Sequence, residues 1–153
     1  MRRCLLPLVF VISVFFGACS SGNEDHLYSG FRNIPSGGWV YGDTLDFVFP
    51  CDSVNPDGYL AFAVRHTGAY KYANLWVEVT LKNDDTTVLD TLNIRLADKY
   101  GRRLGRGVGV SYVKVDTILG NISFEKPFTA GVRHIMRVDT LRDIEQLGLI
   151  RIQ

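Results

Sequence analysis

The stretch Gly101-Arg102-Arg103-Leu104-Gly105-Arg106-Gly107-Val108-Gly109 has the ingredients of an anion cradle. Glycines let backbone amides close on a phosphate, and arginines can pair with it. The spacing fits neither a Walker loop, which ends in Gly-Lys-Ser/Thr, nor a dinucleotide fingerprint, which needs a strand, the loop and a helix in that order. The segment reads instead as a connection between strands. Arg102, Arg103 and Arg106 become candidate partner contacts, because a guanidinium offers bidentate, weakly hydrated bonds. His26, His66 and His134 are far apart in sequence, with no ligand spacing between any two, so no metal site is expected. Asn83-Asp84-Asp85 lacks the rest of a calcium loop and reads as a hairpin turn. There is no Gly-x-Ser-x-Gly elbow. No catalytic residue is assigned, and the expectation is a chain that is not an enzyme and uses no cofactor.

The aromatics point elsewhere. Tyr70, Tyr72 and Trp76 crowd around Asn74, and Trp76 falls among the polar positions of its segment. Exposed planar rings on a sheet hold partner proteins or sugars. These three rings and the three arginines form the candidate partner or ligand surface, with a partner protein as the first expected occupant and a glycan as the alternative.

The elements that must position them alternate with period two, the repeat of a strand with one buried face. Leu75, Val77, Val79 and Leu81 point one way, and Trp76, Glu78, Thr80 and Lys82 the other. Leu45, Phe47 and Phe49 share a face, as do Leu60, Phe62 and Val64. Further strands are expected at 92–96, 112–115, 118–124, 132–138 and 149–152, with turns at 55–58, 82–85 and 101–109. Helical periodicity is confined to 141–147. The expected fold is all-β, an antiparallel β-sandwich of jelly-roll or immunoglobulin-like winding. Met136, Arg137 and Asp139 are expected to close the sandwich, with Arg137 paired to Asp139 or Asp143. Cys51 reads as a half-buried cysteine without a role.

The chain has 153 residues, 46% hydrophobic and 22% charged, with a formal net charge of +1. That describes one folded domain and excludes whole-chain disorder or a basic nucleic-acid arm. Met1-Arg2-Arg3 is a basic start, and residues 5–16 are apolar except for Ser13, a run too short to span a bilayer. Phe16-Gly17-Ala18-Cys19 resembles the lipobox of bacterial lipoproteins, with Phe16 where that motif prefers Leu. The resemblance implies a signal peptide over 1–18 and a lipidated Cys19 holding the protein to a membrane of the cell envelope, the outer membrane being the expected one. Residues 19–36 read as a flexible tether and 37–153 as the sandwich domain. Within the tether, Glu24-Asp25 is similar to a surface-export signal and equally to a solvated linker, so the side of the membrane stays open. With Cys4 removed and Cys19 acylated, Cys51 has no partner for an internal disulfide.

Three segments resemble the gliding-motility lipoprotein family GldH. Arg65-His66-Thr67-Gly68-Ala69-Tyr70-Lys71-Tyr72-Ala73-Asn74-Leu75-Trp76 is similar to its Arg-x-Thr, Tyr-x-Tyr and Asn-Leu-Trp stretch. Leu96-Ala97-Asp98 with Gly101 and Gly105-Arg106-Gly107 is similar to its Leu-Ala-Asp and glycine loop. Met136-Arg137-Val138-Asp139-Thr140-Leu141, with Ile144 and Leu147-Gly148-Leu149, is similar to its C-terminal ending. Arg103 stands where the family usually carries an aromatic. The resemblance implies a membrane-anchored, non-enzymatic component of a motility or type IX secretion assembly, and it supplies no catalytic residue.

Overall fold

The computed structural model describes residues 29–152, which form strands and connections without a helix. The strands are β1 (Ser29–Asn33), β2 (Trp39–Val40), β3 (Leu45–Phe49), β4 (Asp57–Thr67), β5 (Asn74–Lys82) and β6 (Thr87–Arg95). They continue as β7 (Arg106–Val108), β8 (Ser111–Ser123), β9 (Phe128–His134), β10 (Thr140–Leu141) and β11 (Ile144–Ile152). Two antiparallel sheets, ordered β1-β11-β4-β8-β7 and β3-β9-β5-β6, pack as a β-sandwich, and β2 with β10 makes a small ribbon.

Alternation decides what lies between the sheets. Phe47 and Phe49 of β3, Leu60, Phe62 and Val64 of β4, and Leu75, Val77 and Val79 of β5 are all buried, as the period-two reading requires. Leu147 and Leu149 of β11 join the same core. Phe49 stacks on Phe128 of β9 with centroids 4.9 Å apart. Each such side chain contributes about 1.5–3 kcal/mol by leaving water.

The structure corrects several boundaries. The segment expected as tether already carries β1, whose Ser29 pairs with Ile150, and Ile34 is buried with its amide donating to the Glu145 carbonyl at 2.8 Å. The sandwich therefore includes residues 29–36, where the chain supplies the edge strand of one sheet. The helix-like spacing of Leu141, Ile144 and Leu147 belongs to β10 and β11. A register shift between Ile144 and Gln146 inserts an extra residue, so a spacing of three puts both Ile144 and Leu147 in the core. The two strands expected over 112–124 are one, β8, kept continuous by register shifts against β4. β9 starts at Phe128 and ends at His134, earlier than expected, and the glycine-rich connection contains β7. Cys51 is exposed rather than half-buried. Arg137 is exposed, and no ion pair joins it to Asp139 or Asp143 among the described residues.

Candidate partner-binding face

Trp76 is 40% exposed on the outer face of the four-stranded sheet. Strand alternation puts it there: Leu75 and Val77 on either side are fully buried. The backbone beneath it is held from two sides, since its amide donates to the Met136 sulfur at 3.3 Å and its carbonyl accepts from Ile135 at 3.0 Å. Asn93 of β6 stands directly opposite, and Asn74 Nδ2 donates to Asn93 Oδ1 at 2.7 Å. One step along the face, Arg133 Nε donates to Glu78 Oε1 at 2.6 Å. That hydrogen bond from Arg133 holds the Glu78 carboxyl below its usual range. The Arg133 guanidinium also lies 5.9 Å from the ring of the exposed Tyr41. The sequence reading missed Tyr41 and Arg133. Arg133 has a visible signal in its place between Val132 and His134, whereas nothing local marks Tyr41.

The other two rings are not on this face. Tyr70 is completely buried, and its hydroxyl donates to the Asn74 carbonyl at 3.0 Å. Tyr72 is half-buried against it, centroids 5.6 Å apart. Burial pushes the Tyr70 phenol well above its ordinary pKa. The expected three-ring platform is thus a single tryptophan. Tyr70 lies in a loop without periodicity, so its direction could not be read from neighbours.

The arginines divide in the same way. Arg103 faces the protein: Nη1 donates to the Tyr72 carbonyl at 3.2 Å and Nη2 to the Gly68 carbonyl at 3.1 Å and to the Tyr70 carbonyl. It holds the 68–72 loop that leads into β5, so its donors serve the fold and are not presented to a partner. Arg102 is exposed, paired with Asp98 at 2.8 Å and 5.8 Å from the exposed ring of Tyr100. Arg106 is exposed on β7.

The histidines are packing elements. His66 Nδ1 lies 2.9 Å from the Thr67 carbonyl and its ring stacks on Tyr112. His134 Nε2 lies 3.0 Å from the Trp39 carbonyl, with the rings of Trp39 and Tyr41 edge-on to it. A carbonyl only accepts, so those nitrogens carry the protons, and the opposite nitrogens, His66 Nε2 and His134 Nδ1, are buried without a partner. Burial lowers both pKa values below 6.5. The unfolded chain therefore takes up protons first as the pH drops. Stability is fully present above about pH 6.5 and is lost progressively below it, towards the lowered folded values. Denaturant titrations at stepped pH are expected to show this fall, and replacing both histidines by glutamine to flatten it.

A model of the GldH lipoprotein family matches residues 26–151. The chain belongs to that family. No curated protein and no solved structure matches it. Family membership makes it a lipid-anchored cell-envelope protein of a gliding-motility-associated family. Cys19, the expected acylation site, lies outside the described residues, as does His26.

In this GldH lipoprotein the three motif segments, distant in sequence, are bonded to one another around the entry to β5. The Leu96 and Ala97 amides both donate to the Ala73 carbonyl, at 2.8 and 2.9 Å, and Leu104 donates back to Leu96 at 2.9 Å. Arg103 closes the 68–72 loop from above. From the C-terminal segment, the Met136 sulfur reaches Trp76, and Asp143 accepts from both the amide and the hydroxyl of Thr67, at 2.9 and 3.2 Å. These contacts position Trp76. Most of the residues that carry the resemblance are scaffold, and the tryptophan is what they present.

Proposed function

We propose that this GldH lipoprotein is a non-enzymatic binding module of the outer membrane. It holds envelope proteins of a motility or type IX secretion assembly through the Trp76 face. The observation that carries the reading is Trp76 itself. A large ring, 40% exposed, sits on a backbone fixed by Ile135 and Met136, with charged and amide groups around it. Such rigid aromatic anchors at the centre of a polar patch dominate protein interfaces. The glycan alternative relied on three rings, and with Tyr70 buried and Tyr72 half-buried it keeps one. The polar groups beside that ring are already engaged with one another, Asn74 with Asn93 and Glu78 with Arg133.

The test is chemical cross-linking of intact envelopes followed by mass spectrometry, comparing wild type with Trp76→Ala. Specific envelope proteins are expected with the wild type. Truncation of an anchoring tryptophan is expected to cut their yield by about tenfold or more, with the melting midpoint little changed. Unchanged partners in Trp76→Ala would remove the face from the interaction. Co-purifying glycan in place of protein partners would restore the sugar reading.

A further inference from the structure

Among the described residues, no strand pairs with the long outer edge of the four-stranded sheet. β6 is its last strand, nine residues long and paired along its length with β5. Beside it the two sheets part, leaving a cleft of about 380 Å³ whose apolar lining is Val79, Leu81, Val88, Leu119, Ile122 and Phe128. Val88 stands opposite Leu81 on the inward side of β6, yet it is 55% exposed. The far wall is β8, which pairs with β7 at 111–113, so that among the described residues β4 is its one strand neighbour from Lys114 onward. An ion pair between Lys126 and Asp85 ties the β5–β6 turn to the turn before β9.

Edge strands are usually short, covered, or studded with lysine or proline. The other edges here fit that rule. β7 has three residues and β1 and β3 five each, and on β3 the Asp46 carbonyl accepts from Arg32 Nε at 2.9 Å. β6 has neither lysine nor proline, and its Leu89 is 61% exposed. Its inward charge is Asp90, opposite Val79 on the cleft wall, with one hydrogen bond to the Thr91 amide and no ion pair among the described residues.

We propose that β6 accepts an extended strand of a partner protein. The strand adds to the free edge as a fifth member of that sheet, sends alternate apolar side chains into the cleft, and sets a lysine or arginine beside Asp90. Strand addition takes its affinity from main-chain hydrogen bonds and its specificity from alternate side-chain pockets, and this edge offers both. Asp90 is exposed in the free protein, and an added strand would cover it; an inward carboxylate therefore disfavours indiscriminate pairing and selects a strand that brings a cation to it. The inference rests on the protein-binding reading above and specifies how the partner is held.

The experiment places photoreactive benzoylphenylalanine at Leu89, Thr91 or Asn93, the outward positions of β6, or at Trp76, in the full chain within intact envelopes. Adducts from the three β6 positions are expected in one partner segment, at residues stepping by two along it, a ladder that only a paired strand produces. Val88→Asp and Asp90→Asn are each expected to cut those adducts by about tenfold or more, with the melting midpoint within a few degrees of wild type. Scattered adducts, adducts to lipid, or adducts to a second copy of this chain would overturn the proposal. Partner adducts at Trp76 with none at β6 would overturn it alone, and protein adducts at neither would remove the binding reading as well.

Discussion

Replacing Gly105 with alanine is expected to destabilise the sandwich by about 3 kcal/mol or more, because the position combines a strained backbone with a contact that cannot yield. Gly105 has a φ of +99°, where a side chain is costly, and a Cβ built on it would lie 2.3 Å from the Val113 carbonyl oxygen and 2.8 Å from its carbon. Those are backbone atoms of β8, so relief requires moving a strand. The turn would be pushed off β8, taking with it the pairing of Arg106 with Val113 and the Leu104 to Leu96 hydrogen bond. Gly101 is the control. Its φ is +81°, but nothing lies within 4 Å of its Cβ position, so Gly101→Ala is expected to cost only the backbone term, about 1 kcal/mol. Denaturant unfolding of the two variants separates the contributions. Equal small losses would show that the glycine loop is not docked on β8.

Arg103→Ala is expected to lower stability by about 2–4 kcal/mol, since charge-assisted bonds to the carbonyls of Gly68, Tyr70 and Tyr72 all disappear. The 68–72 loop would then be held chiefly by the buried ring of Tyr70 and its bond to Asn74. Arg103→Lys is expected to recover only part of the loss, because an ammonium lacks the planar fork that reaches several carbonyls at once. Melting midpoints of the three proteins, with tyrosine accessibility to a nitrating reagent, provide the measurement. A midpoint unchanged in Arg103→Ala together with loss of envelope partners would return Arg103 to the interface that its place in the sequence first suggested.

The contrast between Trp76 and Tyr70 explains how far the site was legible. Trp76 lies in a segment where apolar residues occupy every second place, and that alternation alone turns it outward. Tyr70 lies six residues earlier in a loop, where no period constrains direction, and its burial follows from the arginine and the two amides that fold the loop inward. Arg103 was misread for the same reason. A glycine-rich stretch with three arginines looks alike whether its guanidiniums face solvent or clasp a neighbouring loop. The 141–147 segment failed differently, because a single extra residue in a strand imitates the spacing of a helix.

The sequence by itself determined that the chain is all-β, which faces of β3, β4 and β5 are buried, that Trp76 lies outside, and the family to which it belongs. These are properties of short-range alternation and of motif order, which a linear chain displays directly. Only the tertiary structure decided that the domain takes in residues 29–36, that Arg103 serves the fold, that three distant motifs meet around β5, and that one long edge is left open. Each of those depends on contacts between residues tens of positions apart. Such contacts are set by the pairing order of the strands, and local residue pattern carries no record of that order.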